Sequence, residues 1–225
     1  VTRPTEQEPP TGPDLKPGWF TDSDAPAVRT FADRVTAGRE TPRERAIALF
    51  DAVRDEIWYD PFVVGTDPEA YRASRVAGGP NNWCVPKAVL LTAAARAAGI
   101  PARLGFADVR NHLNTARLRE RMGGADLFVW HGYTALWLDD RWVKATPAFN
   151  AELCARFGVD PITFDGTRDA LMHEYDGAGS RYMSYEHDRG TFHDLPLDDM
   201  LATFREHYGE EMFESAVTGR DAFTR

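Results

Sequence analysis

Cysteine is scarce: Cys84 and Cys154 are the only two in 225 residues. Two thiols cannot build the disulfide framework that staples small secreted domains, so a reducing cytoplasm is the expected compartment. Lysine is nearly absent, with Lys16, Lys87 and Lys144 the only three among 26 basic residues. Against 35 acidic residues these leave a formal charge of −9, which argues against a nucleic-acid or anionic-membrane surface, because phosphate binding needs clustered cations. No run approaches the roughly 18 apolar residues that a membrane-spanning helix requires, and the first residues lack the charged-then-apolar pattern of a signal peptide. No internal repeat is visible. Aliphatic residues are also rare in the first 18 positions, which hold five prolines. This segment, 1–18, reads as an arm wrapped on the surface or unstructured, and 19–225 as one domain.

What is present is a 43% apolar chain able to bury one substantial core. "TPRERAIALFDAVRDEIWYD" carries the signals of a helix start: Thr41 as cap, Pro42 at the first helical position, and Glu44 completing a capping box. Ile47, Phe50, Val53 and Ile57 then follow helical spacing. A second helix is expected from Cys84 to about Ala98, stopped by Gly99 with Pro101 beyond. It is apolar nearly all round and so should be central and buried. "PARLGFADV" reads as a strand, and "LFVWHGYTALWLDDRWVKATPAF" as two strands joined at Asp139 and Asp140. Helix, buried helix and then antiparallel strands make an α+β pattern. Glu152 to Phe157 is a short-helix candidate, whereas "SRYMSYEHDRGTFHDLP" alternates too poorly to assign. From Leu197 to Met212 the apolar residues share one helical face, so the region 151–225 is expected to be a partly helical elaboration of a core at about 41–150.

Cys84 has two readings. Free cysteine is among the most buried residue types, so it can be a small core residue. In the first turn of a helix, however, unpaired N–H groups and the positive dipole end favour a thiolate, and the same N–H groups can hold an oxyanion. A thiol nucleophile needs a base, distant in sequence but near in space. His131, inside the apolar strand, fills that role or is a core histidine bonded to backbone. His112 is its rival as base, with a place at the substrate cleft or the cap of a turn as its other uses. Trp58 and Tyr59 could supply an oxyanion donor or simply pack.

The run "CVPKAVLLTAAARAAGIPARLGF" followed by "HGYTALWLDDRWVKATPAFN" resembles the transglutaminase-like superfamily, in particular bacterial transglutaminase-domain proteins. The resemblance covers about 41–150 and implies a papain-like core, with a Cys-bearing central helix packed on an antiparallel sheet. It implies Cys84 as nucleophile and His131 as general base and acid. The Asp that orients the imidazole in that family falls at position 146, here Thr146, with Asn150 the alternative and Asp108 or Asp165 behind it. In place of the family's Gly two positions before Cys stands Asn82, a residue that tolerates left-handed backbone. Trp83, next to it, would line the acyl cleft.

The implied reaction is acyl transfer from an amide or thioester to an amine or water, giving transamidation, deamidation or amide hydrolysis. The other reading is a catalytically inactive binding module. No cofactor is implied, and no calcium loop is present. His187 and His193 with Glu186, Asp188 and Asp194 match no zinc spacing, so no metal site is expected. Cys154 is expected in packing.

Overall fold

A computed structural model of the chain describes residues 8–111, 116–171 and 183–213. Helix α1 (Pro26–Thr36) precedes α2 (Pro42–Glu56), and α2 begins as its sequence dictates. The Thr41 side chain accepts the Glu44 N–H, the Glu44 carboxylate accepts the Thr41 N–H, and Pro42 stands at the start. Strand β1 (Trp58–Tyr59) follows directly, then a one-turn helix α3 (Ala73–Val76) and strand β2 (Asn81–Asn82). β1 and β2 run parallel, pairing Trp58 with Asn81 and Tyr59 with Asn82. This small ladder fixes the exit of α2 beside the entry of α4 (Cys84–Ala97).

Every residue of α4 from Cys84 to Arg96 is buried. The helix lies between the α1, α2 and α3 layer and a four-stranded sheet, which is why its apolar character runs all round rather than along one stripe. The sheet comprises β3 (Ala102–Asn111), β4 (Leu127–Leu138), β5 (Arg141–Ala145) and β6 (Met183–Phe192), in the order β5-β4-β3-β6. All three pairings are antiparallel. Asp139 and Asp140 make the β4–β5 turn with φ of 49° and 61°, left-handed positions that the short polar Asp side chain tolerates. Thr134 on β4 locks onto α4, donating to the Ala88 carbonyl at 3.1 Å and meeting the Thr92 hydroxyl at 3.1 Å.

Helices α5 (Ala116–Arg121), α6 (Ala151–Phe157) and α7 (Leu197–Tyr208) complete the fold. Three features add to or differ from the sequence expectation. α1 is a full helix with a buried Val28, Phe31 and Ala32 face. The unassigned stretch around residue 185 is an edge strand, β6, whose middle residues Glu186, His187 and Asp188 are exposed; solvated charges at an edge dilute alternation there. Helix α7 stops at Tyr208 because Gly209 has a φ of 79°, so Met212 sits instead in a short 3₁₀ turn from Glu210 to Phe213.

The proline-rich arm is tied down where it is described. Asp14 is fully buried and forms a two-pronged pair with Arg103 at 2.9 Å to both oxygens. Arg103 in turn lies 4.1 Å from the Trp142 ring centre, and the Trp142 indole N–H reaches the Glu8 carbonyl. Among the described residues no helix is long and apolar enough to cross a membrane.

Candidate active site

Cys84 opens α4, with Trp83 as the preceding cap residue. Its thiol is buried, and backbone N–H groups of Gly132, Val85 and Cys84 itself are directed at it. Gly132 can reach because it lacks a side chain. A Cβ there would stand 3.0 Å from Val85 Cα and 3.2 Å from the Cys84 carbonyl oxygen, a tight contact that only a small shift of the neighbouring backbone would relieve. His131, the residue before Gly132, is therefore brought to the mouth of α4 by the same close approach. Cys84 and His131 share the wall of one small pocket with Tyr59 and Trp83.

The strand that carries His131 is bent just ahead of it. Ala107 pairs with His131 but Val109 pairs with Phe128, so β4 holds one extra residue opposite Asp108. Trp130 takes up the bulge in a left-handed conformation, φ 59°. This is a costly geometry for a large aromatic residue. It is held by Asp108, whose Oδ1 accepts the Trp130 N–H at 3.1 Å. Asp108 is itself clamped by Arg189 at 2.5 and 2.9 Å, and the same guanidinium lies over the Trp130 ring. Bulges re-aim side chains beside functional sites, and this one falls one residue before the imidazole.

Burial governs the electrostatics. Desolvation pushes the Cys84 thiol up to about 11, against the pull of the Gly132, Val85 and Cys84 N–H groups and of the Lys87 charge. Desolvation also brings His131 down to about 4. At neutral pH the resting pair is thus a thiol beside a neutral imidazole. The helix-mouth N–H groups expected to favour a thiolate are aimed at the sulfur, but loss of water outweighs them. Lys87 is fully buried one turn into α4 and donates to the Arg54 and Ile57 carbonyls at 2.9 and 2.5 Å, the C-terminal end of α2. Burial lowers its pKa to about 7.

The other residues expected at the site have mixed placements. The Thr146 hydroxyl is buried without a hydrogen-bond partner among the described residues, as is His131 Nε2, so no bond joins that hydroxyl to the ring. Thr146 is held through its backbone N–H, which donates to the Ala170 carbonyl at 3.0 Å. The Asn150 side chain accepts the Tyr59 N–H at 3.2 Å and so anchors β1. Asp108 serves the bulge, and Asp165 is spent on its own loop through Thr167. Asn82 is not left-handed: it is extended in β2, its Oδ1 accepting the Trp83 N–H. Trp58 does not line the pocket and instead stacks under Arg156, because β-strand neighbours point to opposite sides; Tyr59 takes the pocket side. His112 lies outside the described residues.

Both cysteines are free, and Cys154 is packed in the core. Among the described residues no group of three or more His, Cys, Asp or Glu could hold a metal. The polar cluster near β6 is spent structurally: Asp194 caps the Trp19 to Thr21 backbone, Asp188 pairs with Lys144, and His193 approaches Asp14 at 3.0 Å. The residue that sequence reasoning missed is Gly132. A lone glycine inside a strand of large residues marks a close backbone approach, and that signal was present in "WHGYTALW".

A thiol at the mouth of a buried helix and an imidazole on the facing antiparallel strand, open to one pocket, have the layout of a papain-like core. The family model described as "Transglutaminase-like superfamily" matches residues 29–147. The chain therefore belongs to the transglutaminase-like superfamily. None of the curated proteins matches it. Among solved structures it is similar to a "putative cysteine protease" from Cytophaga hutchinsonii, with 16% identity and a TM-score of 0.46 over 84% of this chain. It spans 58% of that chain's length.

Proposed function

We propose that the protein catalyses thiol-dependent acyl transfer on an amide or thioester carbonyl, with Cys84 as nucleophile and His131 as general base and then acid. The observation that carries the reading is the shared pocket of Cys84 and His131 together with the Gly132 N–H aimed at the sulfur. In the first step the Cys84 sulfur bonds to the acyl carbon while His131 takes the thiol proton. The bond from carbon to the leaving amine or thiolate then breaks, and His131 returns the proton to the leaving group. Water or an amine attacks the acyl-enzyme by the same steps in reverse. N–H groups at the α4 mouth are positioned to meet the charge that develops on oxygen and sulfur. Thr146 or Asn150 as a partner that orients the imidazole, the cytoplasmic setting and the amine or water acceptor belong to the same proposal.

The neutral Thr146 hydroxyl, which makes no bond to the ring, favours a second reading, an inactive binding module that keeps the fold. Incubation with a reactive thioester followed by mass measurement of the Cys84 peptide separates the two. An acyl adduct that disappears in Cys84→Ala and forms about 10²- to 10⁴-fold more slowly in His131→Ala supports catalysis. Acylation equally fast with and without His131 defeats it.

A further inference from the structure

The pocket beside Cys84 has an uncharged wall. Val64, Leu118, Met122, Phe128, Phe204 and Met212 line it, drawn from the segment after β1, from α5 with the residue following it, from β4, and from α7 with the turn that follows. Among the described residues no Asp, Glu, Lys or Arg lines it. The Tyr208 hydroxyl, which also reaches this region, is already committed: it accepts the Val129 N–H at 2.7 Å and donates to the Leu127 carbonyl at 2.9 Å.

Such a wall discriminates. A peptide strand drawn into it would bury amide groups with few partners, and a carboxylate would be desolvated with no cation in the described wall, since Lys87 is held by the Arg54 and Ile57 carbonyls; both are strongly unfavourable. A plain hydrocarbon or aromatic group loses nothing and gains burial. Resting on the acyl-transfer reading above, we infer that the donor is a compact, uncharged, hydrophobic acyl group, seated between α5 and α7 with its carbonyl at Cys84, rather than a polypeptide glutamine or a dicarboxylic acyl group. The chemistry stays balanced as written above: the sulfur–carbon bond replaces the bond from carbon to the leaving group, and the thiol proton leaves with that group.

Two measurements on the full chain test this separately from catalysis. The first is calorimetric binding of acetamide, butyramide, hexanamide and succinamic acid to Cys84→Ala. The second is the rate of Cys84 acylation in the wild-type protein by acetyl, butyryl, hexanoyl and succinyl thioesters of one small thiol, with a glutamine peptide alongside. The expected result in both is a gain of about fourfold per added methylene up to the size limit of the pocket, with the succinyl compound and the peptide at least tenfold below the hexanoyl compound. A binding gradient without acylation upholds the pocket inference and refutes acyl transfer. Acylation with no chain-length gradient, or with the succinyl compound or the peptide preferred, overturns the inference and leaves acyl transfer standing. Neither a gradient in binding nor any acylation overturns both.

Discussion

Alkylation of Cys84 should accelerate with pH far past neutrality, with no plateau near pH 6 or 7. Burial holds the thiol near 11, so at pH 7 about one molecule in 10⁴ carries the thiolate, against about one in 30 for a free thiol of pKa 8.5. That is roughly a 300-fold deficit in reactive species. A more basic thiolate is a better nucleophile, with a Brønsted coefficient of about 0.4–0.5, which returns about tenfold. The net expectation is alkylation by iodoacetamide about 20- to 30-fold slower than that of a free thiol at pH 7. Steric shielding of a side chain only 6% exposed slows it further, so the diagnostic quantity is the slope. In a Cys154→Ala background, the logarithm of the rate should rise by about one per pH unit between pH 6 and 10. Urea should abolish the deficit. Peptide mapping after timed quenching reads the rate at Cys84 alone. A plateau by pH 7 would mean a stabilised thiolate paired with imidazolium and would refute the neutral-pair account.

His131 titrates near 4 in the fold against an ordinary 6.5, so below its unfolded pKa the unfolded state holds more protons. Its contribution is present at neutral pH and lost as pH falls from 6.5 through 4, about 3 kcal/mol in all; urea unfolding at pH 7 and pH 4 should show a steeper loss in wild type than in His131→Gln. Gly132→Ala should shift β4 slightly away from the first turn of α4, leaving a folded protein whose Cys84 acylation drops by tenfold or more; unchanged acylation would remove Gly132 from the site. Lys87 is held near 7 against 10.5 when unfolded, so stability should rise as pH climbs from 7 to 10.5, with about 2 kcal/mol gained between pH 7 and 9. That gain should vanish in Lys87→Met, and a stability difference between the two proteins that does not change with pH would contradict it. Asp14→Ala strands a buried Arg103 and should cost roughly 3–5 kcal/mol in chemical denaturation, whereas a loss under 1 kcal/mol would mean that the arm is only loosely attached.

Local chemistry made much of this fold legible. Thr41, Pro42 and Glu44 announce α2 because a capping box is a contact between residues three apart, and it needs no tertiary context. The α4 span and the β4–β5 turn were readable for the same reason: a Gly stop, and two Asp residues that tolerate left-handed backbone. What escaped depends on distant partners. β6 is an edge strand with solvated charges, so its assignment rests on pairing with β3 rather than on its own pattern. The Trp130 bulge has no signature in sequence, since it exists only while Asp108 and Arg189, 22 and 81 positions apart from their contacts, hold it. Nor did the sequence reveal how far Cys84 and His131 are cut off from water, because that depends on α5 and α7 closing over the pocket.

That closure ties the two halves of the proposal together. The apolar wall that would favour an uncharged acyl group is also what keeps the thiol and imidazole neutral, since one cause, removal of water, sets both. A neutral resting pair stores no charge in the ground state. In the proposed reaction negative charge develops on the acyl oxygen as the sulfur attacks, and the Gly132 and Val85 N–H groups and Lys87, which already favour negative charge at the sulfur, would stabilise it. Interactions that strengthen only at that moment lower the barrier without tightening substrate binding. Such a site has no need of a preformed thiolate. It needs an imidazole free to accept a proton, and an unbonded, buried Nε2 on His131 is consistent with that requirement.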